Sequence, residues 1–116
     1  MSSRSRLVHE LKTWSEYYGH VESGSKTFEI RLDDRDFQEG DFLMLQEWDP
    51  KTREYTGRWL FRTVTYRTPP GCSFVLDRHV VLGMRPPHLR ETLMAVQQIE
   101  AQRAAAARDA SGKKTA

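Results

Sequence analysis

The chain has 116 residues, 38% hydrophobic and 29% charged, with a mean hydropathy of −0.70, which is the composition of one domain with at most a tail. Its apolar runs, such as Phe42 to Leu45, fall far short of the ~20 residues that a membrane helix needs. No apolar stretch follows the start of the chain, so no signal peptide is expected. The single cysteine, Cys72, excludes a disulfide framework and any thiolate-rich zinc site, and a cytoplasmic setting is expected.

Of 18 basic and 16 acidic residues, five basic and three acidic ones fall after Pro87, which leaves 13 of each sign in residues 1–87. A broad basic face of the kind that wraps duplex nucleic acid is therefore not required. A local pocket for a nucleotide or a short single strand remains compatible with this balance.

Taken in chain order, residues 1–6 are expected to be flexible and residues 7–87 to form the domain. Leu7 to Lys12 alternates as a first strand. Thr13 or Ser15 is placed to cap a helix running to about Ser23, with Glu16 three residues after Thr13 as in a capping box and Gly24 at the end. Thr27 to Arg31 alternates again, predicting Phe28 and Ile30 inward and Thr27, Glu29 and Arg31 outward. Leu32 to Gly40 is a polar loop anchored by Phe37, in which Asp34, Arg35 and Asp36 serve the loop itself. Asp41 to Trp48 is the next strand, Asp49 to Thr52 a turn, and Gly57 a second bend. Arg58 to Arg67, rich in aromatic and β-branched residues, is a long strand. Thr68-Pro69-Pro70-Gly71 breaks the chain, and His79 to Met84 is the last strand before Pro86-Pro87.

Beyond the prolines, residues 88–108 read as a helix, with Leu89, Leu93, Val96 and Ile99 at helical spacing and an alanine-rich end. Residues 109–116 are expected to be disordered. The whole predicts an α+β, mainly β chain: a small β-barrel of five to six strands with one short early helix and a C-terminal helix. That helix is also a candidate for weak homo-oligomer formation, since its apolar stripe needs cover.

The chemistry-bearing segment is Gly24-Ser25-Lys26-Thr27-Phe28-Glu29-Ile30-Arg31. Strand geometry puts Glu29 and Arg31 on one face, with Lys26 at the helix-to-strand corner. A lysine, a carboxylate and an arginine on one rigid strand can hold a phosphate and read the donor and acceptor edges of a base. An outward row of compensating charges explains the same residues without any ligand. Because an exposed charge cluster contributes little stability, Lys26→Ala and Glu29→Ala are expected to leave the melting temperature within a few degrees of wild type. Tyr17, Tyr18 and Trp48 are candidates to stack on a base. His9 is a candidate proton carrier. The four histidines show no metal-ligand spacing, so neither a metal nor a cofactor is expected.

Gly24, Lys26, Glu29 and Arg31 fit the pattern G-x-K-x-x-E-x-R, which resembles the signature of the ASCH domains in the PUA-like superfamily. His9 to Lys12, Asp34 to Phe37, Gly40-Asp41, Glu47-Trp48 and Tyr55 to Arg58 look like a small bacterial and phage branch of that group, over roughly Leu7 to Arg85. The resemblance implies a partly open PUA-like barrel with a cleft beside the signature strand, binding single-stranded RNA or a nucleotide-like small molecule through Lys26, Glu29 and Arg31. It also implies an alternative, a hydrolase on RNA or a modified nucleoside in which Lys26 and Glu29 are catalytic. In the amidohydrolase kind a threonine stands two residues before the motif arginine, with a glutamate further on. Here that position holds Glu29, and Thr68 to Arg78 contains no glutamate. A third reading is a protein-interaction module acting through the C-terminal helix.

Overall fold

The computed structural model describes residues 4–115, with side chains as far as Ala110. In chain order the elements are β1 (Val8–Trp14), α1 (Ser15–Ser23), β2 (Phe28–Leu32), β3 (Phe42–Asp49), β4 (Glu54–Arg67), β5 (His79–Arg85) and α2 (Leu89–Thr115). One mixed sheet of five strands runs in the order β1-β3-β4-β5-β2. β1 lies parallel to β3, and the other neighbours are antiparallel. The α+β, mainly β expectation holds at that level, but among the described residues the sheet is not closed into a barrel: β1 and β2 are its two edges and do not pair.

The inner face carries Leu11, Leu43, Leu45, Val80, Leu82 and Met84, covered by Val21 of α1 and by Phe37 of the loop after β2. Val8, Phe42, Met44 and Phe61 form a second cluster on the outer face, beneath Ala95 and Ile99 of α2. The helix therefore packs on its own domain, but along a stripe that shares only Ile99 with the one expected. Leu89, Leu93 and Val96 are exposed. The buried positions are four apart, at Glu91, Ala95 and Ile99, and the small alanine lets the helix approach the sheet closely.

Several boundaries shift for local reasons. β1 runs on to Trp14, and neither Thr13 nor Ser15 caps α1: Trp14 occupies the cap position without a side-chain hydrogen bond. Gly24 does close α1, at a left-handed φ of 88°. β4 begins at Glu54, so the bend at Gly57 lies inside a strand, where its φ of 91° is open to glycine. α2 continues to Thr115 through the segment expected to be disordered, of which Ala116 lies outside the described residues. At the other end, residues 1–3 of the segment expected to be flexible lie outside the described residues. Residues 4–6 are fastened by ion pairs from Arg4 to Asp41 at 2.8 Å and from Arg6 to Glu91 at 2.7 Å.

The most consequential correction concerns β2. Its alternation is present, but with the opposite phase: Phe28, Ile30 and Leu32 are exposed, Ile30 by 55%, while Glu29 is only 3% exposed. A one-residue change of phase exchanges every side chain between the two faces, and a period of two cannot itself say which face is inward.

Candidate functional site

The unpaired edges of the sheet approach each other and are bridged by side chains. On β1, Leu7 accepts a bond from the Phe42 amide of β3, so the alternate residues Val8, Glu10 and Lys12 turn their backbone groups away from β3. Gln102 of α2 pairs with both groups of Val8, accepting from its N–H at 2.8 Å and donating to its carbonyl at 2.9 Å. Arg35 donates to the Glu10 carbonyl at 3.0 Å, and Arg31 to the Lys12 carbonyl at 2.9 Å. An edge strand that would otherwise offer itself to any passing strand is thereby blunted.

Between these edges lies a cleft of about 560 Å³ lined by residues 12–14, Tyr17, Lys26 and residues 28–31. Volume does not single it out, since two other clefts are of similar size. Its chemistry does. Glu29 sits on the inner side of β2 with both carboxylate oxygens engaged: Lys26 Nζ donates to one at 2.8 Å and Arg31 Nε to the other at 2.9 Å. Arg31 also reaches Thr13 Oγ1 at 3.4 Å. The two cations keep about a fifth and a quarter of their side-chain surface exposed, while the carboxylate that fixes them is buried. Lys26 Nζ also lies 5.7 Å from the Tyr17 ring and 5.3 Å from the Phe28 ring. The cleft thus presents two fixed cations between aromatic walls.

Sequence reasoning placed Lys26, Glu29 and Arg31 together, and they are together, although on the inner rather than the outer side of β2. Tyr17 joins them. Its neighbour Tyr18 does not: the two point about 100° apart on α1, and Tyr18 is buried with Arg58 5.1 Å from its ring. Its burial pushes the phenol's pKa up, with Glu22 adding to the rise. His9 is also away from the cleft. It is buried against Phe37, ring centroids 4.6 Å apart, and its Nε2 lies 2.8 Å from Asp41. Asp41 further accepts from Arg4 and from the amides of Leu7 and Gln38. Burial alone would raise that carboxyl, but the hydrogen bonds from His9, Arg4 and the two amides outweigh it and hold it at about 2. His9 belongs to this fastening of the N-terminal segment, not to the site.

Trp48 does not line the cleft either, yet it stacks obliquely on a residue that does: its ring centroid is 5.8 Å from that of Trp14. Trp14, Thr13, Lys12, Phe28 and Ile30 were not singled out from sequence. Trp14 follows Lys12 at strand spacing and ends β1, and that alternation was the available signal. Among the described residues no group of His, Cys, Asp and Glu is placed to hold a metal ion, and no helix is long and apolar enough to cross a membrane.

The chain is thus a small α+β domain whose open five-stranded sheet has its edges bridged by arginines, with an ion-paired cleft between them. The chain belongs to the family described as "Domain of unknown function (DUF3850)", whose profile matches residues 8–84. That span runs from the start of β1 into β5 and leaves α2 outside it. The chain is also similar to the "Uncharacterized 12.9 kDa protein in GpA 3'region" of Escherichia phage P2, at 36% identity over 58 residues, covering 50% of this chain and 51% of that protein. The chain spans about half the length of the curated relative it matches.

Proposed function

We propose that this domain binds RNA or a nucleotide-like ligand in the cleft between β1 and β2. The observation that carries the reading is the buried Glu29 holding Lys26 and Arg31 side by side at the mouth of an aromatic-walled cleft. Two cations fixed in advance cost little further ordering when an anionic phosphate arrives. The Tyr17 and Phe28 rings suit the face of a base, a contact worth ~1–3 kcal/mol. The resemblance of Gly24, Lys26, Glu29 and Arg31 to the ASCH signature supports the same reading, and an open sheet with a cleft at its seam suits a partly open PUA-like barrel. The one cysteine, Cys72, is free and fits a reducing cytoplasm.

Hydrolysis by Lys26 and Glu29 is the alternative, and the geometry favours it less. Both Glu29 oxygens already accept ion-paired bonds, and Lys26 donates to one of them, so neither group stands ready to take a proton from an attacking water. Action as a protein-interaction module through α2 is weaker again: the Ala95 and Ile99 face of the helix is spent on the sheet, and only the exposed Leu89, Leu93 and Val96 speak for a partner.

Fluorescence anisotropy of a labelled single-stranded RNA, titrated with wild type and Lys26→Ala at two salt concentrations, tests the reading. Micromolar binding that weakens with salt and is lost in the variant, with the RNA intact on a denaturing gel, is the expected result. Cleaved RNA transfers the site to the hydrolase reading, and absence of both removes polynucleotide as the ligand.

A further inference from the structure

The three tryptophans of the chain share one surface. Trp14 of β1 is in register with Trp48 of β3, and Trp48 with Tyr55 of β4. Residues in register on neighbouring strands point to the same face, with strands ~4.8 Å apart. On the same face Trp59, in register with Gln46, lies edge-on to Phe61 with centroids 5.1 Å apart. Phe61 is buried beneath α2, but Trp14, Tyr55 and Trp59 are each about half exposed. Lys12 Nζ lies 4.4 Å from the Trp48 ring. The outer face of β1, β3 and β4 therefore divides in two: a part capped by α2, and beyond it a row of large aromatic rings in which Trp14 and Tyr55 are open and Trp48 between them is half-buried, with Lys12 over its ring.

Such rings are the side chains a small sheet most readily buries, so a row left open calls for a ligand that stacks. The row begins at Trp14, which is also a wall of the cleft. From there it runs across the sheet through Trp48 to Tyr55, with Lys12 beside it. Flat rings at strand spacing with a lysine alongside match the chemistry of consecutive bases on a phosphate backbone, and they lie in continuity with the cations of Lys26 and Arg31.

We infer that this row is a stacking platform for the nucleotides that flank the one in the cleft, so that the ligand is a single-stranded polynucleotide rather than a free nucleotide. The inference rests on the nucleotide reading of the cleft. The cleft fixes one phosphate and one base through Lys26, Arg31 and Tyr17. The strand then leaves over Trp14, and its next bases lie on Trp48 and Tyr55 as Lys12 swings from the Trp48 ring to meet their phosphates.

The test compares a nucleoside monophosphate with a labelled oligouridylate of about ten nucleotides, a length within the range of single-strand site sizes. Binding to wild type, Lys26→Ala, Trp48→Ala and Trp48→Phe is followed by anisotropy and by tryptophan fluorescence. Wild type should bind the oligonucleotide at least about tenfold more tightly than the monophosphate, stacking being worth about five- to 150-fold for each base. Trp48→Ala should lose that advantage and leave monophosphate binding unchanged, whereas Trp48→Phe, which keeps a ring, should retain most of it. Lys26→Ala should weaken both ligands. Equal affinity of wild type for the two ligands, or oligonucleotide binding indifferent to Trp48→Ala, overturns the platform and leaves the cleft reading standing. Failure of wild type to bind either ligand overturns both. Concentration-dependent dimerisation in sedimentation that Trp48→Ala abolishes would show the face covered by a second copy of the chain, and the platform would again be overturned.

Discussion

Arg31 on β2 donates through Nη2 to the backbone carbonyl of Lys12 on β1, at 2.9 Å, across the gap where the sheet fails to close. The same guanidinium is held by Glu29 through Nε. One side chain thus joins the two free edges of the sheet and forms part of the cleft between them, and the buried carboxylate keeps it there. Opening the seam and rearranging the cations of the cleft are consequently coupled, so that a ligand taken up by the cleft would also stabilise this region.

Glu29→Ala should destabilise the domain by about 2 kcal/mol, because it strips two partly buried cations of the carboxylate they share. Lys26→Ala should cost under about 1 kcal/mol, since the lysine is the more easily rehydrated partner. Urea unfolding midpoints of the two variants check this. Equal and negligible changes would mean that the trio is merely a solvated surface row, as an outward-facing β2 had predicted.

Ile30→Lys gives the complementary result. An exposed position tolerates the change within about 0.5 kcal/mol, whereas a lysine forced into a core would cost several times more. A collapse in the melting temperature of Ile30→Lys would place Ile30 inside and contradict the phase of β2 described above.

The phase of β2 also shows how far the sequence could be read. Alternation, the turn at Gly24, the long aromatic β4 and the break at Pro69-Pro70 were all visible, because period and punctuation are local properties. So was the association of Lys26, Glu29 and Arg31. Which face of β2 turns inward was not, because an edge strand owes its orientation to a distant strand: Arg31 finds its acceptor on β1, 19 residues away along the chain. The α2 stripe misled for a related reason. Leu89 and Leu93 are more hydrophobic than Ala95, yet the helix turns Ala95 to the sheet, where Glu91 can meet Arg6 and Arg85. Trp14 was passed over because the strand was expected to end at Lys12. A strand continuing directly into α1 without a capping side chain leaves no signal at the boundary.

The N-terminal fastening should make the domain acid-sensitive in a defined window. Asp41 has its pKa lowered from the ordinary 3.8 to about 2, so the native state binds fewer protons than the unfolded chain between those values. Its contribution, about 2 kcal/mol, is complete above the unfolded value and is lost as pH falls through the native one. Glu91 acts in the same direction: the Arg85 hydrogen bonds hold its carboxyl well below the ordinary range, with Arg6 and the His88 amide assisting against burial. Stability measured by urea unfolding should therefore fall steeply from about pH 4 towards about pH 2, and less steeply in Asp41→Asn. A wild-type profile that is flat below pH ~4 contradicts the assignment.

Removing residues 103–116 should leave the sheet folded, since Arg103 adds only a surface ion pair to Glu10 and a contact to Met44. Ending the chain at Pro87 should not. That truncation uncovers Val8, Phe42, Met44 and Phe61 and frees the Val8 edge held by Gln102. Circular dichroism with thermal melts separates the two, and a cooperative, wild-type-like melt of the shorter chain would show α2 to be dispensable to the core.

Amide and side-chain chemical-shift mapping of the ¹⁵N-labelled domain on addition of a short single-stranded RNA tests the central claim most directly. Shifts concentrated on residues 26–31, on Tyr17 and on the Trp14 indole, and absent in Lys26→Ala, are the predicted result. Shifts that saturate elsewhere, on the α2 stripe of Leu89 and Leu93 or around Cys72, or that persist unchanged in Lys26→Ala, would contradict the assignment of the cleft between β1 and β2 as the binding site.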